Sequence, residues 1–175
     1  MTLLHPQRND PPPEAPVVTP DRSLRDMLGH YATGVTVVTT TDRTGNPVGL
    51  TVNSFTSVSL RPPMVLWCLN RGSSTRDAFE HSGHYAVNIL ARDQSGLATR
   101  FAGSGANRFS DVPWRLGVAG QPILEGVSAW LVCRMPGAAI NAGDHVVLFG
   151  RVLAHRTHHA DPLLFAHGRY RTLDD

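Results

Sequence analysis

A chain of 175 residues is long enough for one domain with a sizeable core and too short for two. The composition, 41% hydrophobic and 17% charged, is that of a globular protein, and the net charge of +2 includes no Lys/Arg block, which argues against nucleic acid as the main partner. No signal-like leader opens the chain and no apolar run nears the ~20 residues that span a bilayer, so a cytoplasmic protein without membrane contact is expected.

Residues 1–20 are rich in proline and lack periodicity, which predicts a flexible tail ahead of a single domain over 21–175. Asp21 is placed to cap a helix running to Tyr31, with Leu24, Met27, Leu28 and Tyr31 on one face. Gly34 breaks it, and the β-branched run Val35 to Thr41 predicts a strand. Asp42 to Asn46 supply a turn, and further strands follow over Pro47–Thr51, Ser54–Ser59 and Met64–Leu69. A helix is expected over Ser73–His81, with Ser74 as its cap and Asp77 closing a capping box. Tyr85–Leu90 predicts another strand, Gln94–Phe101 a short helix, and Trp130–Arg134 and Val146–Leu153 two long strands.

About seven strands joined mostly by short turns, with no βαβ repetition and no Gly-x-Gly-x-x-Gly after a strand, exclude a doubly wound nucleotide-binding fold. A mainly β, closed or partly split antiparallel barrel fits better, because closure removes strand edges. Cys68 and Cys133 lie in apolar runs and are expected to be buried, reduced thiols.

Four segments offer chemistry, each with a plain structural alternative. Thr51 to Ser59 alternates hydroxyls and an amide with apolar residues, suiting either a ring edge rich in carbonyls and nitrogens or a solvated strand face. Arg71 to Arg76 sets hydroxyls and two cations at a helix start, as an anion site or an ordinary cap. Ala142-Gly143-Asp144-His145 offers a histidine beside a carboxylate, or a simple turn. His167 to Arg171 joins an aromatic ring to two cations, fit for a dinucleotide or for solvent. His155, His158 and His159, with Asp161, lack a convincing ligand spacing, so no metal is expected. A hydrolase is disfavoured, since no Gly-x-Ser-x-Gly is present.

In order, Tyr31 to Thr39, Gly49 to Ser59 with Pro62-Pro63, Asn107-Arg108-Phe109, Ala142 to His145 and Gly168-Arg169-Tyr170 resemble the short-chain flavin reductases of two-component flavin-dependent monooxygenases, the flavin reductase-like, FMN-binding split-barrel family. The resemblance covers roughly residues 22 to 173. It implies an antiparallel Greek-key split β-barrel with a few short helices, forming a homodimer. It also implies an NAD(P)H:flavin oxidoreductase that reduces FMN or FAD with NADH, or NADPH, and supplies diffusible reduced flavin to a partner oxygenase. Carried over by residue, Thr33, Gly34, Val35, Thr36, Thr51, Val52, Asn53 and Ser54 would line the flavin ring and ribityl chain. Ser57, Ser74, Thr75, Arg108 and Phe109 would lie toward its phosphate. His145, Gly168, Arg169 and Tyr170 would meet the nicotinamide nucleotide, with His145 assisting rather than acting as an essential acid. Relatives often carry lysine where Arg71 and Arg108 stand, which keeps the charge and changes its geometry. Two alternatives stay open: a flavin-binding barrel without activity, and a flavoprotein that keeps its flavin and reduces a bound substrate.

Overall fold

The computed structural model describes residues 21–105 and 107–174; the proline-rich stretch 1–20 lies outside them. Among the described residues, three helices, α1 (Asp21–Leu28), α2 (Arg76–Ser82) and α3 (Ser95–Ala102), accompany thirteen strands. In chain order the strands are β1 (Thr33–Gly34), β2 (Thr36–Thr41), β3 (Pro47–Val52), β4 (Thr56–Leu60), β5 (Pro63–Asn70), β6 (His84–Ile89) and β7 (Trp114–Leu116). Then come β8 (Pro122–Leu124), β9 (Ala129–Arg134), β10 (Ile140–Ala142), β11 (His145–Thr157), β12 (Leu164–Ala166) and β13 (Arg169–Arg171). No helix among the described residues is long and apolar enough to cross a membrane.

The main sheet runs β3-β2-β6-β9-β11-β5-β4, with β10 added on β11, and every pairing is antiparallel. Its two edge strands, β3 and β4, are joined by only Asn53, Ser54 and Phe55 but share no ladder. A sheet whose far edges are tied by three residues has to curl round until they meet. The result is a barrel left open along one seam. Ser54 pins the seam, its hydroxyl accepting from the Cys68 amide at 2.9 Å and donating to the Cys68 carbonyl at 3.3 Å.

β11 makes the curl possible. Its first half pairs with β5 and its second half with β9, with a register shift between Val152 and Ala154 where the strand bends. β2, β6 and β9 are buried on both faces, so successive residues enter different cores. Val38, Val87 and Cys133 join Trp67, Phe79, Tyr85 and Leu148 in one cluster. Val37, Ala86 and Val132 join Phe101, Ile123, Trp130 and Leu163 in the other. Burial pushes the Cys133 thiol up to about 12, which keeps it protonated and inert. Cys68 is also free but only half-buried, because on β5 it alternates with the buried Val65, Trp67 and Leu69 and so takes the opposite face.

Asn88 fastens the short β7–β8 hairpin to this frame. Fully buried, it donates to the Val37 carbonyl at 3.0 Å and the Thr39 hydroxyl at 3.1 Å, and accepts from the Leu124 amide at 2.9 Å. Asn88→Ala removes all three bonds and leaves a buried N–H unpaired, so a loss of about 2–4 kcal/mol is expected, read from the urea midpoint at unchanged slope.

Several expectations are corrected here. The first helix ends at Leu28 rather than Tyr31, and its supposed inner face is exposed: Leu24, Met27, Leu28 and Tyr31 are 48%, 56%, 57% and 78% accessible, because no strand among the described residues covers them. The capping box at Ser74 and Asp77 is absent. Thr75 is the N-cap of α2 without a side-chain cap bond, and Asp77 instead pairs with Arg43 at 3.0 Å. Seven strands become thirteen, since β1, β7, β8, β10, β12 and β13 are two or three residues long, below what an alternating pattern can register. The 42–46 turn forms as expected: the Thr44 hydroxyl, helped by the amides of Asn46 and Thr44, holds the Asp42 carboxyl down at about 2.

Candidate functional site

β3 is an edge strand, so its outer side is free to line a groove, and three cavities follow it from Pro47 to Asn53 over roughly 20 Å. The first, about 350 Å³, is enclosed by Pro47 to Gly49, by Ser74 and Thr75 at the start of α2, and by Ser104, Gly105, Arg108 and Phe109. Gly49 has to be small here, since a Cβ would lie 3.0 Å from the Phe101 ring and 3.1 Å from the Thr39 methyl. Arg108 donates to the Gly49 carbonyl at 2.7 Å, which draws the loop after α3 onto β3. Its Nε is buried and has no partner among the described residues. A buried guanidinium N–H beside two hydroxyl residues is a donor waiting for an anion.

The second cavity, about 190 Å³, is mostly apolar: Val35, Thr51, Asn53, Ala102, Phe165 and Tyr170 line it. Thr51 sends its hydroxyl to the Ala98 carbonyl at 2.6 Å, so α3 is fixed against β3. Thr33 stands opposite Phe165 on the β1–β12 ladder, and its buried hydroxyl has no partner among the described residues. The third cavity, about 690 Å³, shares Asn53 and Phe165 with the second and widens to His30, Tyr31, His145, His167 and Gly168. His145 meets the Asp144 carboxylate at 2.8 Å, a contact that holds the Asp144 carboxyl below its usual range.

The candidates therefore divide. Ser74, Thr75, Arg108 and Phe109 come together in the first cavity; Val35, Thr51, Asn53 and Tyr170 in the second; His145 and Gly168 in the third. Others serve the frame. Thr36 is buried and gives its hydroxyl to the Val52 carbonyl at 2.8 Å, and Val52 points into the core. Ser54 holds the seam, and Ser57, on exposed β4, lines none of the three. Gly34 and Arg169 are exposed and line none of them either. Arg71 reaches the Gly143 carbonyl and Arg76 pairs with Glu80 at 2.7 Å, so neither supplies the charge in the first cavity. Ala102, Ser104, Gly105 and Phe165 escaped the sequence reading: they are small or apolar residues that become lining only through folding.

The groove has an anion-seeking end, a flat apolar middle and a wide histidine-lined mouth, proportions that suit a phosphorylated ring compound with a second ring-bearing ligand beside it. The model of the flavin reductase like domain matches residues 28–174. A probable flavin reductase of Rhizobium meliloti is 46% identical over 151 residues, 86% of this chain but 48% of the relative, so the chain spans about half of that protein's length. The FMN reductase (NADH) SmoA of Agrobacterium fabrum is 44% identical over 149 residues, 85% of this chain and 84% of the relative. Among solved structures, nitrilotriacetate monooxygenase component B from Mycobacterium thermoresistibile superposes with a TM-score of 0.83 at 37% identity, covering 87% of this chain and 86% of that one. With the match running from the end of α1 almost to the C-terminus, the chain belongs to the flavin reductase like family.

Proposed function

We propose that the chain is an NADH-dependent flavin reductase whose reduced product leaves for a flavin-dependent oxygenase. The observation that carries this reading is the row of three cavities along β3 and Asn53, with Arg108 lining the first and His145 the third. Bound there, an isoalloxazine would take a hydride from nicotinamide C4 at N5, and a solvent proton would complete its reduction. The chain's own part is placement, since both reactants already carry the redox chemistry.

In this reading Arg108, Ser74 and Thr75 hold a flavin phosphate. Asn53 and the β3 backbone border the ring, and Phe165 and Tyr170, their rings 5.7 Å apart at 62°, wall the opposite side. His145, half-buried at the entrance of β11 and paired with Asp144, orients the nicotinamide carboxamide and moves no essential proton. His145→Ala is accordingly expected to lower kcat by less than the roughly hundredfold that loss of a general acid costs, as measured at saturating NADH and flavin. The groove is open along its length, which suits a flavin that has to be released. The ring and the phosphate that these residues would meet are common to FMN and FAD.

The uncovered face of α1 supports a homodimer, because Leu24, Met27, Leu28 and Tyr31 form an apolar stripe that a second copy would bury. The test of the activity is loss of NADH absorbance with catalytic enzyme and FMN, FAD or riboflavin in excess. Turnover of any of them supports the reading. Binding of flavin without turnover would leave a flavin-binding barrel, and tight flavin that never exchanges would leave a flavoprotein acting on another substrate.

A further inference from the structure

More than half of the third cavity's lining comes from a helix that the barrel leaves uncovered. Arg25, Asp26, Leu28, Gly29, His30 and Tyr31 belong to α1 and the turn after it, against five residues from the barrel. The first and second cavities take nothing from α1. The barrel holds α1 at its C-terminal end. There the His167 amide donates to the Gly29 carbonyl at 2.7 Å, and the His30 and His167 rings meet edge to face with centroids 4.5 Å apart.

A helix of 8 residues is below the ~12–15 residues at which a helix holds its shape alone in water. Burial of an apolar face normally supplies what is missing, but Leu24, Met27, Leu28 and Tyr31 are left in solvent. α1 therefore needs a cover from outside the described barrel. Those four side chains present roughly 500 Å², short of the ~800 Å² that each side of a stable interface buries. The remainder is at hand on β11. His145, which lines the same cavity, alternates with the buried Val146 and Leu148, so Val147 and Phe149 share its outward face. Cys68 and Leu66 stand opposite them on β5. All four are half-buried, and Val147, Phe149 and Leu66 enter neither core cluster. Apolar and uncharged, both surfaces suit self-pairing across a two-fold axis, where a charged patch would meet its own sign.

We propose that a second copy of this chain covers α1 and the outer face of β11, and that the third cavity is complete only in that dimer. In the single chain α1 is formed for part of the time, and a ligand of the third cavity binds more weakly in proportion. The first and second cavities are whole in either state. That the ligand is the nicotinamide reductant rests on the reductase reading; the dependence of α1 on a second copy does not.

The test uses Phe149→Asp, at a residue that lines none of the three cavities, beside Leu24→Glu/Met27→Glu on the helix itself. Sedimentation velocity reads the assembly, and amide hydrogen exchange over residues 21–31 reads α1. FMN titration and the KM for NADH read the cavities. The native protein is expected to be a dimer with α1 protected. Both variants are expected to be monomers in which residues 21–31 exchange about tenfold faster and the KM for NADH rises about tenfold. The Kd for FMN should stay within about twofold, which also shows that the barrel is folded. If Phe149→Asp does not fold, the helix variant, altered outside the barrel, decides alone. Dimers that survive the substitutions, or monomers that keep α1 protected or the KM for NADH unchanged, would overturn the proposal. So would a native monomer, which hands the cover to residues 1–20 or to another protein. Failure of the reductase reading shows separately, as no NADH oxidation with added flavin, while sedimentation and exchange still answer.

Discussion

Arg108→Ala is expected to raise the KM for FMN by about tenfold to a hundredfold and to leave riboflavin turnover nearly unchanged. The reason lies in the first cavity, where the Arg108 Nε is buried without a partner beside Ser74 and Thr75. A charge-assisted hydrogen bond to a phosphate contributes about 1.5–3 kcal/mol, which is the tenfold to hundredfold range. Riboflavin has no phosphate and supplies the control. It also separates two roles of the same side chain, because Arg108 holds the loop after α3 to the Gly49 carbonyl at 2.7 Å. If the loop contact dominates, FMN and riboflavin suffer alike. Arg108→Lys keeps the charge but loses the planar fork, so an intermediate KM for FMN is expected. Steady-state rates with the two flavins at fixed NADH decide among these outcomes.

Gly150→Ala is expected to destabilise the fold by about 3 kcal/mol, lowering Tm by roughly 6–12 °C. Gly150 lies mid-strand in β11, opposite Val65 on β5, and the Tyr85 hydroxyl rests directly against it. A Cβ there would stand 2.7 Å from Tyr85 Cζ and 2.8 Å from Cys133 Cβ. Tyr85 cannot step aside: it is fully buried with its ring 5.8 Å from that of Trp67, which itself packs on Phe79 at 4.9 Å. Tyr85→Phe added to Gly150→Ala should recover only part of the loss, since the ring carbon and Cys133 still crowd the methyl. Gly137→Ala is the matched control, with open space around its Cβ and an expected change within about 1 kcal/mol. Thermal denaturation of the three variants measures all of this.

The long strands were legible because their pattern is strong. The β-branched run at Val35 to Thr41 and the apolar runs at Met64, Tyr85 and Trp130 each exceed four residues, and each became a strand. What periodicity could not reveal was which apolar residues find a partner. Leu24, Met27 and Leu28 have helical spacing yet remain exposed, because spacing states a preference and the opposing surface has to come from elsewhere. The site shows the same division. Arg108 and Asn53 line cavities, and both stand in motifs that the sequence already singles out. Thr36, Val52 and Ser54 belong to the same motifs, but their side chains hold the barrel together: an alternating strand sends every second residue inward, and the motif does not say which face carries the ligand. The His30–His167 contact joins residues far apart in sequence through a turn amide, and only the folded chain brings them into view.

The central claim is a flavin that is reduced and released, and anaerobic reduction tests it most directly. With enzyme at a small fraction of the flavin concentration, NADH is added and the oxidised-flavin absorbance followed. The account predicts that the whole flavin pool is bleached with one NADH consumed per flavin. Bleaching that stops at one flavin per enzyme molecule, or NADH that stays unconsumed while flavin binds, would contradict it.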